Sequence, residues 1–173
     1  MRSSRRFAII LSSFVAFIAS LFIIFFISTR PPKESNVISN FSTHRAAYEQ
    51  VRTMLSEDKD VDLVATWGIE TEGSPISTIP PDGGMPVKRY QDYLALLKEI
   101  GASAVAKGRD QPEVRFLVWR SGFAADTRHV AVSWLEQEPP NKVVSLDAFY
   151  QTAKPRRPSY VHIDGKWYIW ADW

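Results

Sequence analysis

The stretch from Phe7 to Ile27 constrains this chain more than any other: 21 residues without a charged side chain. Coiled as an α-helix with about 1.5 Å of rise per residue, it reaches about 31 Å, matching the ~30 Å hydrocarbon core of a bilayer. A cleaved secretory signal has a shorter apolar core of ~7–15 residues and a small-x-small step behind it. Here bulky Phe25, Phe26 and Ile27 precede Ser28, Thr29, Arg30, Pro31 and Pro32, and no such step is placed correctly. Ser4-Arg5-Arg6-Phe7 has the look of a twin-arginine export signal, but the core behind it is too long and too apolar for one. The stretch is expected to be a retained signal-anchor, with the lipid bilayer as partner through residues 7–27.

Flanking charge gives the anchor a direction. Arg2, Arg5 and Arg6 precede it; Arg30 and Lys33 follow, with Glu34 beside them. The positive excess stays in the cytoplasm. The expected layout is a cytoplasmic tail (1–6), a transmembrane helix (7–27), a proline-containing linker (28–41) and one extracytoplasmic domain (42–173). This places the chain in the cell inner (plasma) membrane as a single-pass protein, with a periplasmic domain if the cell is Gram-negative.

The formal net charge is +2, but three arginines lie before the apolar stretch; beyond it stand 18 Lys and Arg against 19 Asp and Glu. A domain this close to neutral lacks the basic footprint of a nucleic-acid binder, and no nucleic-acid partner is expected. The chain has no cysteine, which excludes disulfides, thiolate nucleophiles, Cys-ligated metals and lipid attachment through a thiol. The domain must be held by its core, and six tryptophans, all C-terminal of the span, supply bulk for one.

Periodicity predicts a helix over 42–56, capped by Ser42 or Thr43, with Ala47, Tyr48, Val51, Met54 and Leu55 on one face. Val61 to Trp67 alternates as a strand does. Residues 68–86 read as a long loop with a short strand near 76–79; a connection of this length is often functional or an inserted hairpin. Val87 to Ile100 carries the clearest helical stripe, through Tyr90, Tyr93, Leu94, Leu97 and Ile100, with Gly101 as its stop. Strands over 102–107, 113–121 and 128–135 follow with short turns, as in an antiparallel meander. Ser145 caps a short helix over 145–150. Tyr160–Ile163 and Lys166–Trp170 flank Asp164-Gly165, a strong hairpin signal. A two-residue turn there sets His162 opposite Trp167, so Tyr160, His162, Trp167 and Ile169 share a face. The fold class expected is α+β, with two main helices packed on an antiparallel sheet of about five to six strands.

Chemistry is sparse. His44, His129 and His162 show no ligand spacing between them. Asp58, Asp60 and Asp62 begin like a calcium loop, but Leu63 stands where glycine is needed and Ile69 where glutamate is needed, so a solvated turn is expected. No metal and no cofactor are expected. Asp126-Thr127-Arg128-His129 is the only local carboxylate–histidine cluster. Asp126, Arg128 and His129 are the candidate catalytic residues, with no nucleophile elbow beside them. Arg156 and Arg157, in a proline-held basic connector, join Trp167, Trp170 and Trp173 as interface candidates. Two readings stand. One is a non-enzymatic domain that binds a protein outside the cytoplasm, such as an envelope-complex component or an immunity protein. The other is a small membrane-anchored hydrolase or ligand-binding enzyme with a pocket near Asp126–His129.

The order helix, strand, helix, meander and final hairpin, ending Ile163-Asp164-Gly165-Lys166-Trp167, resembles the cone-shaped domains of the nuclear-transport-factor-like and cystatin-like classes. The layout of tail, span and outer domain also looks like the bitopic scaffold subunit of type IV secretion machines. That family carries an Asn-Pro-x-Gly motif, which this chain lacks. No function follows from either pattern.

Overall fold

Ser42 and Thr43 do not start a helix; they lie at a bend in one. In this computed structural model, which describes residues 30–72, 74–80, 84–108, 112–122, 127–151 and 158–172, helix α1 runs Glu34–Glu57. The Ser42 and Thr43 hydroxyls donate back to the Ile38 and Ser39 carbonyls at 2.9 Å each. His44 leaves helical geometry (φ −112°, ψ 22°). Side-chain oxygens that compete for carbonyls one turn back bend a helix. The expected linker therefore stops at Lys33. Val37 and Phe41, four residues apart on the buried face, give Glu34–Phe41 a reason to be helical that their polar neighbours concealed.

Pro32 begins a folded unit that extends to the C-terminus. Its fold is α+β. Helix α2 spans Val87–Ile100 and α3 spans Leu146–Phe149. The strands are β1 (Val61–Ala65), β2 (Gly68–Thr71), β3 (Ser74–Thr78), β4 (Ala104–Lys107), β5 (Glu113–Ser121), β6 (Arg128–Leu135), β7 (Ser159–Asp164) and β8 (Trp167–Asp172). They form one sheet in the order β3-β2-β1-β4-β5-β6-β8-β7. All neighbours pair antiparallel. Eight strands replace the expected five to six because β2 and β3 fold within the 68–86 connection. Pro75 sits on edge strand β3, where a missing N–H is tolerated.

One row of side chains joins seven strands: Ile69, Val64, Val105, Phe116, Val132, Ile169 and Val161, each buried and each opposite the next. This row and the apolar faces of α1 and α2 share the main core. At its centre, Phe41, Tyr48, Phe116 and Trp167 hold ring centroids 5.0–5.9 Å apart, a range in which aromatic pairs add to simple burial. Trp167 Nε1 donates to Glu49 Oε1 at 3.0 Å, and Glu49 Oε2 accepts from Arg52 Nε at 2.9 Å.

The final hairpin turns one residue later than expected. Asp164 pairs with Trp167, His162 with Tyr168 and Val161 with Ile169, with the register shifting between His162 and Asp164. Gly165, at φ +54°, takes the left-handed turn position that favours glycine. The shift lets Ile163 pack on the main core and lets the Asp164 carboxylate pair with Arg45 of α1. Its consequence is that Trp167 faces the helices, while Tyr160, Tyr168 and Trp170 belong to a second cluster.

Both ends of α1 are tied down. At the first turn, Glu34 N donates to Asp147 Oδ1 at 3.2 Å and Leu146 N donates to Glu34 Oε2 at 2.6 Å, so α1 and α3 cap each other. Tyr150 Oη donates to the Pro32 carbonyl at 3.4 Å. At the last turn, Arg89 donates to the Met54 carbonyl, to Glu57 and to Asp58, and Tyr93 Oη donates to Asp58 at 2.7 Å. Burial first, then Asp58, pushes the Tyr93 hydroxyl far above the ordinary tyrosine range. Lys107 Nζ binds the Asp58 and Lys59 carbonyls at 3.0 and 2.7 Å. The segment that begins like a calcium loop is thus a helix end, with Asp58 engaged.

Among the described residues no helix is long and apolar enough to cross a membrane. Residues 1–6 and the 7–27 stretch lie outside the described residues.

Candidate functional site

Side chains alternate across a sheet, so each core-facing residue has neighbours on the face turned away from the helices. Two rows cross that second face. One runs Leu63, Ala106, Arg115, Ser133, Tyr168, His162. The other runs Ala65, Ala104, Leu117, Ala131, Trp170, Tyr160. Ala104 and Ala106 on β4 and Ala131 on β6, either side of β5, leave a trough, because side chains this short cannot fill the space between larger ones. The trough is a hollow of about 210 Å³, floored by Ala104, Ala106 and Ala131 and walled by Trp67 and Trp170. Trp67 is 46% exposed and Trp170 only 8%.

Leu63, Leu117, Arg115, Arg120 and His129 complete the lining among the described residues. The Arg115 guanidinium lies 4.5 Å above the Trp170 ring, a cation–π distance, and its Nη2 donates to Glu113 Oε2 at 2.5 Å. Glu113 stands two residues back on the same face, its side chain fully buried. Arg120 is exposed at the rim. Burial pulls the His129 imidazole below the ordinary histidine range; its cross-strand partner Asp172 opposes the shift and Arg120 adds to it. His129 is therefore a neutral ring at pH 7, 6.3 Å from Trp170.

Four buried polar atoms on this face have no hydrogen-bond partner among the described residues: Glu113 Oε1, Arg115 Nε, Ser133 Oγ and Trp170 Nε1. Leaving such an atom unpaired costs about 1–3 kcal/mol, and folded proteins pair nearly all of them. Their gathering on one face singles that face out.

The candidate residues fall in several places. His129 lines the hollow. Arg128, its strand neighbour, pairs opposite Ser121 and is not part of the lining. Asp126 lies outside the described residues, as do Arg156, Arg157 and Trp173. Trp170 is on the second face, where it is 8% exposed. Trp167 is not: it is 2% exposed in the main core, placed there by the late turn of the hairpin. The residues that sequence reasoning missed are Trp67, Arg115 and Arg120. A signal existed for one of them, since Glu113 and Arg115 are opposite charges two apart on a strand and so share a face.

A depression of about 440 Å³ lies at the C-terminal end of α1, lined in part by Glu57, Asp58 and Gly84. It is roomier, but its Glu57 and Asp58 carboxylates are occupied by Arg89. Among the described residues no three His, Asp or Glu side chains gather closely enough to hold a metal ion. No protein family, no characterised protein and no solved structure matches the chain.

Proposed function

We propose that this is a single-pass membrane protein whose domain, outside the cytoplasm, binds another protein through the sheet face turned away from the helices. The observation that carries the reading is that face: an alanine-floored hollow between two tryptophans, rimmed by two arginines. Tryptophan, tyrosine and arginine are the residues that anchor protein interfaces. The uncharged stretch over 7–27 supports the anchor, and the arginines before it support an inner-membrane protein with its N terminus in the cytoplasm. An envelope-complex component and an immunity protein both suit this reading. The order of helices, meander and final hairpin supports a cone-shaped fold of the nuclear-transport-factor-like or cystatin-like pattern. The hydrolase reading has less behind it, because no hydroxyl and no carboxylate among the described residues lines the hollow with His129.

The test is photocrosslinking in intact membranes. A photoreactive residue at Thr66, exposed beside Trp67, should give a discrete product with another protein. One at Lys88, whose side chain is 85% exposed on α2, should not. Equal products from both positions, or none from either, would refute the assignment of the face. A C-terminal reporter active only after export tests the orientation; a silent reporter overturns it.

A further inference from the structure

We infer that the hollow between Trp67 and Trp170 seats a single residue of the protein partner, one whose apolar side chain stands beside a free carboxylate. The inference rests on the protein-binding reading and adds the chemistry of the anchor.

Size comes first. Pockets that enclose whole small molecules hold roughly 300–1,000 Å³. At about 210 Å³ this hollow is below that range and matches one large side chain. Its floor and walls are alanine, leucine and indole, which favour an apolar body.

Charge comes second. The ionisable groups in the lining are Arg115, Arg120 and His129; no acid among the described residues lines it. Arg115 is largely neutralised by Glu113. Arg120 forms no ion pair among the described residues and brings positive charge to the rim. Arginine holds carboxylates through charge-assisted hydrogen bonds.

Hydrogen bonding comes third. Trp170, more than nine-tenths buried, lines the hollow, and its indole N–H, itself without accessible surface, has no acceptor among the described residues. Arg115 Nε, a second unpaired donor, belongs to the same lining. Indole and guanidinium N–H groups only donate. The lining donor that a ligand reaches is the exposed Arg120 guanidinium, and a carboxylate suits it because it accepts without donating. The occupant is therefore a chain-terminal apolar residue, or an apolar residue directly beside Asp or Glu, in an extended segment of the partner.

The test uses the full chain in lipid nanodiscs, with tryptophan indole N–H groups followed by NMR. The probes are N-acetylphenylalanine, which has a free carboxylate, and its uncharged amide. A ligand of this size at ordinary efficiency gives a Kd of about 1 mM. The acid should shift the Trp170 resonance with that affinity, and the amide should bind at least about tenfold more weakly, the weight of one charged contact. Arg120→Gln should weaken the acid by a similar factor and leave the amide unchanged. Ala106→Phe, which fills the floor, should abolish the response to both. Equal binding of acid and amide would overturn the inference, as would no shift at about 10 mM acid. Arg120→Gln lies on an exposed rim, so it carries the test if Ala106→Phe disturbs folding. The two readings fail separately. A Thr66 crosslink that persists in Ala106→Phe, with no acid binding by the native chain, sinks the anchor chemistry and spares the binding face. Acid binding without any crosslink sinks the face and spares the chemistry.

Discussion

Replacing Glu49 by alanine tests how α1 is locked to the sheet. Trp167 is 2% exposed, and its indole N–H has Glu49 Oε1 as acceptor at 3.0 Å. Removing the carboxylate strands that donor where water does not reach, at a cost of about 1–3 kcal/mol. Glu49 itself is 38% exposed, so the lower half of that range applies, about 1.5 kcal/mol. Loss of the Arg52 pair three residues away adds about 0.3–0.5 kcal/mol. Glu49→Ala should therefore destabilise by about 2 kcal/mol. Trp167→Phe removes the donor. In that background Glu49→Ala should cost only the Arg52 contribution, about 0.5 kcal/mol, leaving a coupling near 1.5 kcal/mol. Urea unfolding of the 32–173 unit, followed by far-ultraviolet circular dichroism, reads all four proteins of the cycle, and unchanged m-values keep the comparison valid. A coupling below about 0.3 kcal/mol would show that the buried hydrogen bond contributes nothing and that aromatic packing alone holds α1.

Further expectations concern single positions. Gly101 closes α2 at φ +69° with nothing within 4 Å of where a Cβ would sit, so Gly101→Ala should cost about 1 kcal/mol through backbone conformation alone; a neutral result in urea unfolding would contradict this. His129 titrates below the ordinary histidine value in the folded protein, mainly through burial. As pH falls through about 6.5, the unfolded chain takes up a proton that the folded one does not, so stability declines until the pH passes the lowered folded value. His129→Gln should flatten that part of the stability–pH profile between pH 7 and 5; an unchanged slope would place the decline elsewhere. Phe116, fully buried at the centre of the aromatic quartet, should cost about 3–5 kcal/mol on replacement by alanine, seen as a lower urea midpoint; a loss under 1 kcal/mol would mean the quartet is not the core's centre.

Features with one-dimensional signals were legible in the sequence. Helix α2 runs over its predicted span because a helical stripe and a stop glycine coincide there. Strands β5 and β6 match as well, since alternation and flanking turns agree. The start of α1 was hidden by its polar composition, and Ser42 and Thr43, good caps by type, serve instead as back-bonding residues inside the helix. Strands β2 and β3 were hidden among turn formers. The hairpin register depended on Ile163 and Asp164 finding partners on α1 and in the core, contacts that no local pattern contains. The hollow was the least legible feature. Ala104, Ala106 and Ala131 come together only because β4, β5 and β6 lie side by side, and Trp67 and Trp170 line one hollow only in the full strand order.

The mutual caps between α1 and α3 also have a mechanical meaning. Pro32 and Glu34 are the first described residues tied to the rest of the unit, and Leu146, Asp147 and Tyr150 hold them. Tension on the chain N-terminal of Pro32 meets these three bonds before it meets the backbone of α1. Without them a helix would peel from its free end turn by turn, since its first N–H groups have no partners of their own. With them the load passes sideways into α3, and α1 stays seated over the aromatic quartet. Pulling single molecules from residue 32 should show a lower first yield force for Asp147→Ala than for the native chain, and equal forces would deny the clip this role. The domain thus has a strain relief at the point where a tether would act on it.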